Sequence, residues 1–250
     1  MIEHLSYSAI RSYATDRTMF AKRYIKKEYG STKSPAMVEG NAVHIAIERM
    51  FKGIPELDIE DLWEIAVGND TNISFGKTQS EEKSKENIQK AIQYFKEEKL
   101  DDSFVGEVVD VEPAFKEICY DNNGEPLPIP LKGKIDMVVN RDGELHLIDW
   151  KVVTKYIDEA KENLVYKLQA ACYFLICRVV YDTEPASMTF LQIKKTTNRD
   201  GSPQLREYIV ENNDSRLIDG FCELIRRIVR ELTGQPNIDP KTGEILFIPN

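Results

Sequence analysis

Asp136 and Asp149 stand on either side of Asp142-Gly143 in the stretch "GKIDMVVNRDGELHLIDWK", residues 133 to 151, and Lys151 follows the second acid by two positions. Asp-Gly between alternating apolar residues favours a two-residue type I′ turn. In that register Arg141 faces Glu144, Asp136 lies opposite Asp149, and Lys134 lies opposite Lys151. Directly opposed residues hold their Cβ atoms roughly 4.5–5.5 Å apart, where like charges are destabilising. Strand alternation keeps Lys151 on the face of Asp149 and turns Ile148 and Trp150 the other way, toward a core. Three kinds of chemistry suit two carboxylates and an ammonium group so placed. They form a wet face in which lysines offset aspartates, a dyad in which one acid raises the pKa of the other, or a site for a hard divalent cation such as Mg²⁺. The lysine favours the cation, because a metal and an ammonium group together can stabilise an attacking water and the charge growing on a phosphate.

Other elements must hold this hairpin. Ser6 or Ser8 can cap a helix running through the twenties, after which "YGSTKSP" is rich in breakers. A second helix begins near Ala36, with Val43, Ile47 and Met50 or Phe51 at helical spacing, and Gly53 and Pro55 end it. Gly40, His44 and Glu48, four apart, share its opposite face. Such a histidine alone reads as a satisfied core or surface residue; beside the two aspartates it becomes a nitrogen ligand that admits Mn²⁺ as well as Mg²⁺. Gly40 would let backbone or substrate approach closely. "SEEKSKENIQKAIQYFKEEKL" is a third helix, with Ile88, Ile92 and Phe95 on one stripe and a solvated charged face.

From about residue 104 to 151 the period alternates, which signals strands broken by the "NNGEPLP" loop. Residues 158 to 181 return to helical spacing, with Leu164, Leu168, Ala171 or Cys172, Leu175 and Val179 in one stripe and Gln169 and Tyr173 on a separate face. "ASMTFLQIKK" and "QLREYIVE" read as strands around "TTNRDGSP". A last helix, capped by Asn213, Asp214 or Ser215, buries Leu217, Phe221, Leu224, Ile225, Ile228 and Leu232 before Gly234 and Pro236. The closing "TGEILFIPN" adds a short strand or drapes over the core. This order predicts an α/β fold with a central mixed β-sheet flanked by helices on both faces.

A chain of 250 residues with 42% hydrophobic content can bury one substantial core, so one domain is expected. No stretch approaches the roughly 18 consecutive apolar residues of a membrane span. The start, "MIEHLSYSAIRSYATDR", lacks an apolar signal core, so the protein is expected to be soluble, unexported and cytoplasmic. Cys119, Cys172, Cys177 and Cys222 are spaced unlike a disulfide framework or a structural zinc site and read as buried thiols. The net charge of −9 speaks against wholesale attraction to nucleic acid or anionic membrane. Residues 1 to 35 nevertheless carry seven bases against three acids, interleaved with Tyr7, Tyr13, Phe20, Tyr24 and Tyr29. That mixture suits phosphate contacts plus base stacking, or a solvated helix with its aromatics turned into the core.

The strand ending in Asp136, followed by "LIDWK", resembles the D…(D/E)-x-K core of the PD-(D/E)XK nuclease superfamily. Three further stretches resemble its RecB-like branch: "LSYSAIRSYATDRTMFAKRYI" its opening helix, "GNAVHIAIE" its glycine and histidine helix, and "QAACY" its Q-x-x-x-Y element. All occur in family order across roughly residues 5 to 175. The resemblance implies a restriction-endonuclease-like core in a single nuclease domain over 1–250, helical to about residue 100, with the catalytic sheet core at about 104–195. It implies Mg²⁺ or Mn²⁺ held by His44, Asp136, Asp149 and the backbone carbonyl of Trp150, with Lys151 positioning the water or stabilising a phosphorane-like transition state. Gln169 and Tyr173 would support the site, and Glu48 would bind a second metal through water or orient His44. Many relatives place one cysteine in the first helix and three near the C-terminus to hold an iron–sulfur cluster. Here the first helix has none and only Cys222 lies in the last third, so no cluster is expected.

The expected function is metal-dependent deoxyribonuclease activity, as an exonuclease or end-processing enzyme in recombination, repair or phage DNA metabolism. DNA rather than RNA is the expected substrate, with no membrane partner; homo-oligomerisation and a recombination partner protein stay open. The first helix and "KKTTNR" at 194 to 199 are the candidate DNA contacts. The rivals are a DNA-binding or adaptor protein that keeps the fold without turnover, and a structural protein whose hairpin presents a wet face.

Overall fold

The computed structural model of the protein describes residues 2–28, 30, 32–68, 72–99, 106–198, 200, 202 and 204–234. Arg199, Tyr29, residues 104 and 105, Pro236 and the closing "TGEILFIPN" lie outside them. The helices are α1 (Tyr7–Thr15), α2 (Arg17–Phe20), a π-helical turn (Ala21–Ile25), α3 (Pro35–Phe51), α4 (Ile59–Val67), α5 (Glu81–Lys99), α6 (Glu159–Val180) and α7 (Ser215–Thr233). The strands are β1 (Leu5–Ser6), β2 (Thr32–Lys33), β3 (Asn72–Ile73), β4 (Glu107–Val111), β5 (Ala114–Glu117), β6 (Leu131–Lys134), β7 (Met137–Arg141), β8 (Glu144–Val153), β9 (Ser187–Lys194) and β10 (Leu205–Glu211).

The expected turn forms: Asp142 and Gly143 both take positive φ, 53° and 88°, and the Asn140 side chain accepts the Gly143 N–H. It joins β7 to β8 within a five-stranded sheet of order β10-β9-β8-β7-β4. β8 and β9 run parallel, a pairing that requires a long crossover, and α6 supplies it. The other neighbours are antiparallel. β1, β6 and β5 form a second, three-stranded sheet, and β2 pairs with β3.

Both faces of the five-stranded sheet are covered, as expected. Val43 and Ile47 of α3, Trp63 of α4 and Phe95 of α5 pack on Ile148, Trp150 and Leu191. On the other face Ile10 of α1, Phe174 of α6 and Phe221 of α7 pack with Leu145, Leu147 and Phe190. β8 is therefore sandwiched, and its alternate residues feed two different cores.

Four local expectations change. The first helix breaks at Asp16, whose extended backbone (φ −152°) lets its side chain cap α2 by accepting the Met19 N–H at 2.9 Å. Tyr13 and Phe20 are buried and meet edge to face at 5.1 Å, so the core claims these aromatics and they are not a stacking surface. In α6 the stripe does not begin at Leu164, which is 61% exposed; instead every residue from Ala170 to Cys177 is buried. α6 is enclosed by the sheet, α1 and α7, so a one-sided stripe understates its apolar surroundings. Its Asn163–Val180 segment is long and apolar enough to cross a membrane by length and composition alone, yet these buried residues mark a core helix. Finally, α4 is a short amphipathic helix between two loops that spacing did not reveal, capped by Asp58 through the Asp61 N–H. All four cysteines are free and buried.

α3 is tied to the sheet by a buried charge pair. Glu39, fully buried, contacts the ammonium group of Lys195 just beyond β9, and Asn87 of α5 donates to its other oxygen at 3.1 Å. Removing one member of such a pair strands the other. Lys195→Met is expected to cost about 3–5 kcal/mol, while Glu39→Leu with Lys195→Met recovers most of the loss; urea unfolding of the three proteins checks this.

Candidate metal centre

The hairpin ladder ends at Met137 and Ile148. Asp136 does not sit in register with Asp149, and Lys134 does not face Lys151; the chain leaves the sheet, and β6 carries Lys134 to a place opposite Ala114 in the second sheet. Continuing the register would have set two buried carboxylates face to face. Outside the ladder, Asp136 Oδ2 accepts the Trp150 N–H at 2.7 Å. Its Oδ1 lies 3.3 Å from His44 Nδ1, and the other ring nitrogen of His44 is 2.9 Å from the Trp150 carbonyl oxygen. α3 thus lays one histidine across both the acid and the carbonyl.

Asp149 has different partners. Gln169 of α6 donates to its Oδ1 at 2.7 Å, while Oδ2 lies against the Lys151 ammonium group without a well-directed hydrogen bond. Tyr173, one turn further along α6, donates to the Lys134 carbonyl oxygen at 3.0 Å. Its ring needs Gly133, since a Cβ there would come within 2.8 Å of Tyr173 Cε1. The Q-x-x-x-Y spacing therefore reaches both ends of the broken hairpin: Gln169 the second acid, Tyr173 the strand before the first.

Glu112 was not foreseen. It follows β4 with φ +59°, an uncommon conformation for a residue with a side chain, and donates its N–H to the Asp136 carbonyl oxygen at 2.9 Å. Its carboxylate lies 4.0 Å from His44 Nδ1 and contacts the Lys134 ammonium group. His44, Glu112 and Asp136 offer ligand atoms that all lie within 4.8 Å of one another. In sequence Glu112 passes for the polar member of an alternating strand; the one signal was an acid held immediately before Pro113, where the ladder must end.

His44, Glu112 and Asp136 line a cavity of about 760 Å³ that also takes in Gly40, Glu48, Trp150 and Lys151; Asp149 belongs neither to this lining nor to the ligand cluster. A Cβ on Gly40 would meet nothing within 4 Å, so this side of α3 is open to an incoming ligand. Glu48 joins the cavity but not the ligand cluster, and Lys52 holds it at 2.7 Å. A second cavity of about 760 Å³ lies at the turn end of the sheet. Arg178 contacts Glu184 there, and Asn122 donates to Asp219 at 2.8 Å.

One imidazole, several carboxylates and a backbone carbonyl form a donor set suited to Mg²⁺ or Mn²⁺. Burial pushes Asp149 up to about 6, with Asp136 adding to the shift and Lys151 opposing it. Burial alone would lower His44, but the charge and hydrogen bond of Asp136 outweigh it and raise the imidazole pKa. Glu112 is raised by burial against the opposing pull of Lys134.

The bases of the N-terminal region point outward. Arg11, Arg17, Lys22, Arg23, Lys26 and Lys27 are all exposed. The candidate nucleic-acid surface is therefore charged rather than aromatic. Lys194 of the second candidate segment stands 5.7 Å from the Tyr156 ring, which also receives Arg206 at 5.9 Å.

A family model described as the PD-(D/E)XK nuclease superfamily matches residues 4–244. Among solved structures the chain is similar to one described as SSO0001, at 11% identity and a TM-score of 0.34, over 88% of this chain and 83% of that one. That score is too low to bear on the fold. No curated protein matches.

Protons and a divalent ion would compete for this centre. A raised His44 contributes stability below its ordinary pKa of 6.5 that is lost as pH rises through its elevated value. Asp149, raised from 3.8 to about 6, costs the metal-free protein stability as pH rises through that interval. A cation bound here would displace the His44 proton and favour ionised Asp149, so the stabilisation it gives would grow with pH. Mn²⁺ is expected to raise the melting temperature more at pH 8 than at pH 5.5, and His44→Ala with Asp149→Asn should flatten the difference. Equal shifts at both pH values in the wild type would contradict the assignment.

Proposed function

Because the chain belongs to the PD-(D/E)XK nuclease superfamily, we propose that it is a Mg²⁺- or Mn²⁺-dependent deoxyribonuclease of the RecB-like branch. Its task is that of an exonuclease or end-processing enzyme in cytoplasmic recombination, repair or phage DNA metabolism. The observation that carries this reading is the His44–Glu112–Asp136 cluster, with Lys151 in the wall of the same cavity.

In this reading His44, Asp136, Asp149 and the Trp150 carbonyl hold the metal, and Glu112 joins them. The metal would polarise a phosphoryl oxygen and lower the pKa of the attacking water. Lys151 positions that water or neutralises charge growing on the phosphate. Gln169 fixes the carboxylate of Asp149 through its 2.7 Å hydrogen bond, and Tyr173 fixes the strand that leads into Asp136. Glu48 serves a second metal through water, or keeps His44 in place along α3. The acidic remainder of the chain is tolerable because only the substrate path has to attract phosphate.

Linear and closed-circular DNA, incubated with Mg²⁺ or Mn²⁺ and with chelator, test the proposal. Metal-dependent loss of the linear substrate alone is the exonuclease result, and cutting of the circle points to an endonuclease. Asp136→Ala and Lys151→Ala should each lower kcat by at least about 10²–10³-fold. Glu112→Gln should weaken apparent metal affinity by about 10–100-fold. Wild-type protein that binds DNA but cuts neither substrate would support the adaptor reading.

A further inference from the structure

Lys151 is the shared wall of two cavities of opposite character. On one side lie the acids and His44 of the metal centre. On the other is a cavity of about 410 Å³ lined by Tyr7, Arg11, Lys151, Tyr166 and Gln169, together with two aliphatic residues. No carboxylate lines it among the described residues, so its charged walls are Arg11 and Lys151, both cationic. Arg11, on the exposed side of α1, forms no ion pair with a described residue.

The frame of this second cavity is fixed. Tyr7 donates its hydroxyl to the Val165 carbonyl oxygen at 2.7 Å. The Tyr166 ring stacks on the buried Phe190 at 4.3 Å. Gln192 pairs in register with Lys151, and therefore shares its face of the sheet. Its Oε1 accepts the N–H of Ile157, one of the aliphatic lining residues, at 2.7 Å. Its Nε2 is buried without a partner. Asp149 is engaged from behind by Lys151 and Gln169, and a cavity whose charged lining is Arg11 and Lys151 calls for an anion.

We propose that this cavity is a phosphate subsite, which takes a phosphate of the substrate next to the one being cleaved. Its recognition is the guanidinium of Arg11, suited to a phosphate oxygen pair, with Lys151 reaching both phosphates. The proposal rests on the nuclease reading for its substrate. The substrate strand crosses Lys151 from the acidic cavity, where a bound metal would neutralise the scissile group, into the basic cavity, where protein charge alone holds its neighbour.

The test separates binding from cutting. Binding of fluorescein-labelled oligonucleotides to the full chain is measured by anisotropy in EDTA at several salt concentrations. Arg11→Ala should weaken it roughly 5- to 20-fold at 0.1 M salt and lower the salt-dependence slope by about 1. Arg11→Lys should recover part of the loss. Lys90→Ala, which removes an exposed base of α5 outside both cavities, controls for general attraction. In the cleavage arm, a single neutral methylphosphonate is walked along the substrate in Mg²⁺. At one position next to the cut it should slow the wild type and the Lys90→Ala protein at least about 5-fold, yet leave Arg11→Ala nearly unaffected, as expected when a removed charge and a removed partner are the same interaction. An unchanged salt slope in Arg11→Ala, or equal methylphosphonate penalties in wild type and Arg11→Ala at every position, would overturn the subsite. Wild-type protein that binds with the Arg11-dependent slope but never cuts would refute the nuclease reading and leave the anion site standing.

Discussion

Two carboxylates held about 5 Å apart in a protein repel one another by about 3 kcal/mol at an effective dielectric near 20, and the site is arranged around that repulsion. Asp136 gives up its place in the hairpin and takes the Trp150 amide proton instead. Asp149 stays in β8 and receives Lys151 and Gln169. Each acid thereby gains donors of its own, and α3 and α6, on opposite faces of the sheet, supply one each. The same break sends β6 into the second sheet, which brings Lys134 to Glu112. Topology that looks like a detail of strand pairing is the means by which a dense cluster of acids stays folded.

Where periodicity was strong, the fold was legible in the sequence. The Asp142-Gly143 turn, the helices around His44 and Gln169, and the two-faced sheet follow from spacing and turn chemistry acting locally. The loss of the expected opposition of Asp136 and Asp149 was not legible, because a register rule extends a ladder until something interrupts it. At the break Glu112, far away in the sequence, donates its N–H to the Asp136 carbonyl oxygen. Glu112 itself was hidden for the same reason: alternation assigns an acid to the polar face of a strand without saying what else faces it. Tyr13 and Phe20 show the converse, since aromatic residues among bases have the composition of a stacking surface and the burial of a core.

The interior of β8 also explains why so few residues can do so much. Ile148 and Trp150 anchor one core, Leu145 and Leu147 the other, so the strand that carries Asp149 and Lys151 has little freedom to shift. Trp150 contributes twice, through its ring in the core and through its backbone, with the N–H on Asp136 and the carbonyl beside His44.

Gly133 carries a burden of another kind. It has no side chain to offer a substrate or a metal, yet the Tyr173 ring occupies the space where its Cβ would be, and that ring positions the carbonyl of Lys134. In a survey of every single substitution, intolerance would therefore gather at a small residue with no chemistry of its own. The boundary of the functional centre, drawn by what the molecule can bear to change, is wider than the boundary drawn by its acids.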